Sequence, residues 1–357
     1  MTTETTTDSA ASDGDHGIEA ALETFLQDQN TFVLMIVIAG CLFALAKAAD
    51  WLVEEAVTLS ERSGIPKVVI GATVVSLGTT LPEAVVSVLA AIQGSPDIAL
   101  GNAVGSIICD TGMILGIACL ISPLQLDRKI VNRQGWFQLF AGLLLVAAAF
   151  PFAEASTVFT EGGRLPRVGG FVFLGLLALY IWKTIAWSRG DSDALTEVHT
   201  NGKASNAGAF IKLLLAIAVV VGSSWVLIPA IKVIALRAHI PQSIIAATLV
   251  AFGTSLPELV TAVSAARKGH GDLAIGNIIG ADILNVLFVA GAAAAVTSGG
   301  LDAPHYFFTI LFPAMLVVLI VFRIGVMSSG THLKLPFGFA LLLTYIACLI
   351  ASLLTTK

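Results

Sequence analysis

Residues 71–106 read GATVVSLGTTLPEAVVSVLAAIQGSPDIALGNAVGS, and residues 246–281 read AATLVAFGTSLPELVTAVSAARKGHGDLAIGNIIGA. With a shift of 175, Gly71–Gly116 aligns with Ala246–Gly291 without a gap and is identical at 20 of 46 positions. Two unrelated apolar helices would share Leu, Val and Ala through composition alone. They would not share Gly78-Thr79-x-Leu81-Pro82-Glu83 with Gly253-Thr254-x-Leu256-Pro257-Glu258, or Gly101-Asn102 with Gly276-Asn277. The chain therefore carries an internal duplication.

The whole chain shows where the duplicated stretches sit. Of 357 residues, 56% are hydrophobic and 12% charged, and the mean hydropathy is +0.90. A soluble domain carries roughly 25% charge, so an ordinary soluble enzyme, a disordered chain and a small disulfide scaffold are excluded. Apolar segments run over 31–58, 66–93, 98–122, 132–152, 168–188, 208–236, 241–267, 272–297, 304–323 and 335–355. Each is long enough to cross about 30 Å of hydrocarbon as a helix. The expectation is an all-α integral membrane protein with ten transmembrane helices.

A polar interruption at 188–206 separates five helices from five. With the N-terminus outside, 13 of the 19 Lys and Arg residues fall on the inner side, Arg62, Lys67, Arg128, Lys129 and Arg133 among them. Cytoplasmic loops carry that excess, so both termini are expected outside. An odd number of helices per half gives the halves opposite topology, the pattern of an inverted-repeat transporter. The expected parts are a polar acidic tail (1–30), a first five-helix repeat (31–188, with duplicated region 71–116), a cytoplasmic linker (189–207) and a second repeat (208–357, with duplicated region 246–291).

The tail holds Glu4, Asp8, Asp13, Asp15, Glu19, Glu23 and Asp28 without a Lys or Arg. It reads as a solvated segment with one amphipathic turn around Ile18–Leu26, not as a signal peptide. Cys41, Cys109, Cys119 and Cys348 lie in apolar runs at spacings that suit neither a disulfide framework nor zinc, so they read as packing residues. The six histidines lie in the tail, loops or span ends, and HExxH is absent. An intramembrane hydrolase is thereby disfavoured. Asp50, Glu54 and Glu55 read as a solvated helix end or an entry funnel, and Gly222-Ser223-Ser224 as a flexible point in the sixth helix.

Each repeat sets a carboxylate, Glu83 or Glu258, about 17 residues into an apolar span. A charge at that depth costs a few kcal/mol or more and is functional by default. Pro82 and Pro257 withhold an N–H from the preceding turn and free a carbonyl near Gly78 and Gly253. Thr79 shares a helical face with Glu83, and Thr80 adjoins it; Thr254 and Ser255 repeat the arrangement beside Glu258. Carboxylate, hydroxyl and carbonyl oxygens suit hard cations such as Ca²⁺ and Na⁺. The next helix adds Asn102, Ser106 and Asp110 at i, i+4 and i+8; its counterpart carries Asn277, Ala281 and Asn285. Asn102 and Asn277 follow glycines near helix starts, where capping or helix bridging competes with ligation.

These motifs resemble those of the calcium:cation antiporter superfamily, sodium/calcium exchanger type. The resemblance implies a monomeric 5+5 inverted-topology fold with cation sites between the second, third, seventh and eighth helices. It implies Glu83 and Glu258 as central ligands, with Thr79, Thr80, Thr254 and Ser255 around them. It also implies backbone oxygens at Ser76 and Ala251, and further ligands at Ser106, Asp110 and Asn285. Two departures stand out. Many prokaryotic members resemble this pattern with Asn in the first repeat and Asp in the second, where this chain has Asp110 and Asn285, and Ala281 replaces a usual Ser. Asp282, opposite Ile107 of the first repeat, is an auxiliary ligand, a proton-titrating group or a carboxylate paired elsewhere.

The function implied is exchange of Ca²⁺ for Na⁺ by alternating access, with a Ca²⁺/H⁺ or K⁺-dependent antiporter of the same fold as the alternative. No enzymatic activity, cofactor or nucleic-acid partner is expected. The partners are the lipid bilayer of the plasma (cell inner) membrane and the two ions.

Overall fold

The computed structural model describes residues 14–192, 206–238 and 253–355. Apolar surface and backbone hydrogen bonding both favour helices in a chain of this composition, since a membrane leaves no water to satisfy free amides. The described helices are α1 (Gly14–Asp28), α2 (Thr31–Ser63), α3 (Lys67–Thr79), α4 (Leu81–Ile92), α5 (Pro96–Ile121), α6 (Arg128–Ala149), α7 (Arg167–Ser192), α8 (Asn206–Arg237), α9 (Leu256–Arg267), α10 (Gly271–Val296), α11 (Phe307–Ser328) and α12 (Leu335–Thr355). Seven of them are long and apolar enough to cross a membrane, and α3 with α4 forms an eighth candidate bent by 45°. The expected segment 241–267 is described only from 253 onward, and Ala251 lies outside the described residues.

The shift of 175 reappears in space. α4 and α9 are both 12 residues long and start 175 apart, at Leu81 and Leu256. α5 and α10 are both 26 residues long, from Pro96 and Gly271. Two short antiparallel ladders obey the same exchange. β1 (Leu124–Gln125), which follows α5, pairs with β4 (His332–Leu333), which precedes α12. β3 (Leu301–Ala303), which follows α10, pairs with β2 (Gly163–Leu165), which precedes α7. Swapping the halves converts one ladder into the other.

α5 and α10 form the centre: 72% and 89% of their central windows are buried, against 11% for α12 and 22% each for α2 and α7. The outer helices turn large apolar side chains outward, among them Phe32, Phe43, Phe140 and Leu343. A patch of that extent on a protein surface marks contact with another apolar phase, here the acyl chains.

Small residues set the closest approach. A Cβ added at Gly276 of α10 would lie 2.3 Å from the Val68 carbonyl oxygen, and one at Gly71 of α3 would lie 2.6 Å from that of Leu273. Ser76 and Ala72 similarly fill the space over Gly280. The glycines thus let the backbones of α3 and α10 touch, as small-residue seams do in membrane bundles.

Three expectations change. The segment from Gly14 is a docked helix, longer than one amphipathic turn. Leu26 packs with Leu34, Ala230 and Val233 against α8, with Leu22 beside them. The Lys232 ammonium lies 2.8 Å from Glu23, and Arg237 donates to the carbonyls of Gln27 and Gln29. The acidic group at the end of α2 is tied down more than a solvated end would be. Asp50 accepts from Ser264 Oγ at 2.6 Å, Lys268 bonds Glu54 at 2.7 Å, and Lys212 lies 3.6 Å from Glu55. Finally, α8 runs unbroken through Gly222-Ser223-Ser224, where Ser224 bonds back to the Val220 carbonyl; its interior proline is Pro229.

Candidate cation site

The site forms where the two broken segments meet. Proline at the second helical position lets α4 and α9 start afresh, since its missing N–H would have no partner there. The break falls at Thr80 (φ −84°, ψ 0°) and at Ser255 (φ −82°, ψ 10°), equivalent residues of the two repeats. Glu83 and Glu258 then occupy the first turns of the new helices, where the positive end of the helix dipole favours an ionised carboxylate.

A straight helix would put Thr79 on one face with Glu83. The 45° bend turns the hydroxyls across to the other repeat instead. Thr80 Oγ1 donates to Glu258 Oε1 at 3.2 Å, and Ser255 Oγ donates to Glu83 Oε1 at 3.4 Å. Thr79 Oγ1 donates to Asn277 Oδ1, and Thr254 Oγ1 to Asn102 Oδ1, each at 3.5 Å. All four bonds occur as pairs related by the shift of 175. The two repeats therefore interlock in one reciprocal network about a pseudo-twofold axis.

Glu83 is 1% exposed and Glu258 0%, and Oε2 of each has no hydrogen-bond partner. Asp110 is 0% exposed, and neither of its oxygens has one. Asn285 Oδ1 is likewise unpartnered. Among the described residues, no three His, Cys, Asp or Glu side chains converge tightly enough to enclose an ion by themselves. A cation here would draw on hydroxyl, amide and carbonyl oxygens as well, which suits hard ions with high coordination numbers. Asp110 and Asn285 both fall in π-helical stretches, Ile108–Ile114 and Asn285–Ala290. Such widened turns recur at functional sites, and they break the i, i+4, i+8 stripe read from the sequence.

The other predicted residues divide. Ser106 is buried in α5. The Ser76 carbonyl already accepts from Thr80 N at 2.9 Å and from Thr79 Oγ1 at 3.3 Å, so it is less free than expected. Asn102 bridges helices, donating to Ser87 Oγ at 3.0 Å and to the Glu83 carbonyl at 3.4 Å. Asp282 does not join the reciprocal network. Its Oδ2 accepts from Thr111 Oγ1 and from Gln138 Nε2, the latter at 2.6 Å. Ser87, Thr111 and Gln138 were not singled out in the sequence; the sole signal for Gln138 was a polar pair, Gln134 and Gln138, four apart in an apolar span.

The glycines of the GT[ST] motifs bring α8 over both breaks. A Cβ at Gly78 would lie 2.6 Å from Ile217 Cδ1, and one at Gly253 would lie 3.0 Å from Ile228 Cδ1. The symmetry also fails at one informative point. Ala262 stands where the first repeat has Ser87, and Asn277 Nδ2 is left buried without a partner. Ala262→Ser is expected to supply an acceptor and raise stability by about 1 kcal/mol, read as a higher melting temperature of the detergent-solubilised protein. A lower one would show that the added oxygen does not reach Asn277.

Fold and site together define an integral membrane protein in which paired, buried carboxylates meet at broken helices, the arrangement of a cation exchanger. Comparison with known proteins agrees. The family model described as "Sodium/calcium exchanger protein" matches residues 33–186 and 208–354, and the chain belongs to that family. It is 31% identical to sodium/calcium exchanger MaX1 of Methanosarcina acetivorans, over 90% of this chain and 98% of that protein. It is 34% identical to inner membrane protein YrbG of Escherichia coli, over 81% of this chain and 87% of that protein. Among solved structures it is similar to the sodium-calcium exchanger NCX_Mj soaked with zero Na⁺ and Ca²⁺. The TM-score is 0.74 at 26% identity, covering 91% of this chain and all of that one.

Proposed function

We propose that the protein exports Ca²⁺ in exchange for Na⁺ by alternating access. The reciprocal bonding of Thr80 to Glu258 and Ser255 to Glu83 carries this reading. It makes one symmetric cradle that both halves must form together, so a rocking of one half against the other opens it to one side at a time. The names of MaX1 and NCX_Mj support sodium as the coupling ion.

The proposed ligands are Glu83, Glu258 and Asp110, with the hydroxyls of Thr79, Thr80, Thr254, Ser255 and Ser106, the Asn285 amide oxygen, and the carbonyls of Ser76 and Ala251. Three negative charges more than balance one Ca²⁺ or match several Na⁺, so the ions compete for the same oxygens. The Ser76 carbonyl joins only when the Thr79 hydroxyl turns away. The C-terminal carbonyls of α3 point a negative dipole end toward the cation. α8, with Ile217 and Ile228 over the two breaks, acts as the moving cover together with α2.

In this reading ten helices cross the plasma membrane as 31–188 and 208–357, in opposite topology, with both termini outside. The Lys and Arg distribution supports that orientation. Proteoliposomes test the coupling. Radiolabelled Ca²⁺ is expected to enter vesicles loaded with Na⁺, and not vesicles loaded with choline. Equal uptake driven by a K⁺ or pH gradient without Na⁺ would overturn the sodium reading in favour of a K⁺- or H⁺-coupled exchanger.

A further inference from the structure

We propose that Asp282, Thr111 and Gln138 form a separate site for one monovalent alkali cation, beside the midplane carboxylates. The choice of ion rests on the sodium-coupled reading above. Asp282 is 1% exposed, Gln138 2% and Thr111 0%. They come from α10, α6 and α5, and α6 supplies none of the ligands proposed above. Among the described residues, no Lys or Arg forms an ion pair with Asp282. A buried carboxylate with no positive partner costs several kcal/mol.

The unused atoms have one sign. Asp282 Oδ1 and Gln138 Oε1 are buried without a partner, and both are acceptors. The Gln138 amide end lies 2.6 Å from Asp282 Oδ2 and 3.0 Å from Thr111 Oγ1. A half-turn of that amide exchanges Nε2 for Oε1 in the same volume. After that exchange, and once the Thr111 hydroxyl turns its proton away from Asp282, a carboxylate, an amide and a hydroxyl oxygen adjoin one another with a net charge of −1. That charge fits a monovalent ion, whereas Ca²⁺ takes six to eight oxygens and commonly more than one carboxylate. The charges facing Asp282 favour a cation there over an unpaired carboxylate: Asp110 of α5 and Glu258 of α9 both act on it, and both are negative.

The site belongs to one half alone. Ile107 and Val286 stand at the positions equivalent to Asp282 and Thr111. Occupancy also reaches the midplane through the chain, because Thr111 follows Asp110 in the same π-helical stretch. Such a site would add one ion to the count that displaces Ca²⁺.

The test is displacement of radiolabelled Ca²⁺ by NaCl from the purified full chain, at constant ionic strength with choline chloride. In Asp282→Asn and in Gln138→Leu the half-displacing Na⁺ concentration is expected to rise by about fivefold or more, and the Hill coefficient to fall by about one. Ca²⁺ affinity in Na⁺-free buffer should stay within about threefold. Unchanged displacement in both variants overturns this site and leaves the exchanger reading intact. An equal loss of Ca²⁺ affinity overturns it too, since the groups would then serve the Ca²⁺ site. Wild-type protein that binds Ca²⁺ yet releases none to Na⁺ or K⁺ overturns both readings. Should Asp282→Asn fail to fold, Gln138→Leu decides, because it keeps the carboxylate.

Discussion

Glu258→Gln and Glu83→Gln are each expected to abolish Ca²⁺ flux while leaving the fold intact. Glutamine matches glutamate in volume and keeps an oxygen for the Thr80 or Ser255 hydroxyl. What it removes is one of the two central charges. At about 4 Å and an effective dielectric constant of about 20, a pair of unit charges interacts by roughly 4 kcal/mol. Even half of that weakens Ca²⁺ binding roughly 30-fold. The ion-free protein should not suffer, since an unpaired charge with a buried, unsatisfied Oε2 is relieved. Two measurements separate these effects. The melting temperature without Ca²⁺ should stay level or rise, and the increase that Ca²⁺ confers on the wild type should vanish. A variant that transports Ca²⁺ at the wild-type rate would remove these carboxylates from the site.

Gly276→Val carries the largest expected structural effect. A Cβ at this position falls 2.3 Å from the Val68 carbonyl oxygen and 2.9 Å from its Cα, so backbone and not a flexible side chain stands in the way. α3 and α10 would have to separate, and with them Thr79 from Asn277. Overpacking of a tight seam costs about 1–3 kcal/mol, and more when the obstacle is rigid. The melting temperature is expected to drop by roughly 10 °C, with loss of the monodisperse peak in size-exclusion chromatography. Gly175→Ala on α7 is the control, because among the described residues nothing lies within 4 Å of a Cβ there. If both variants melt like the wild type, the glycine seam does not hold the two helices together.

The carboxylates are legible in the sequence alone. Glu83 and Glu258 announce themselves because a charge in an apolar span is costly and appears twice, 175 residues apart. The broken helices were legible too, since Pro82 and Pro257 lack the N–H that the preceding turn needs, although Pro229 leaves α8 continuous. The acidic N-terminal segment was less so. Leu22 and Leu26 share a face, but the partner that makes a docked helix of it, Ala230 and Val233 on α8, lies some 200 residues away. Asp282 was ambiguous for the same reason: its neighbours Thr111 and Gln138 sit on other helices, 171 and 144 residues distant.

By itself, then, the sequence determined the class of fold, the duplication and the residues that carry the charge. Each of those follows from local composition, from proline chemistry or from a repeat visible in one dimension. Only the tertiary structure decided which hydroxyl meets which carboxylate. Helical periodicity pairs Thr79 with its own Glu83, but the bend at Thr80 redirects Thr79 to Asn277 and Thr80 to Glu258. That redirection depends on how closely two distant segments approach, and the approach is set by the glycine contacts between α3 and α10. No spacing within one repeat encodes the distance to the other.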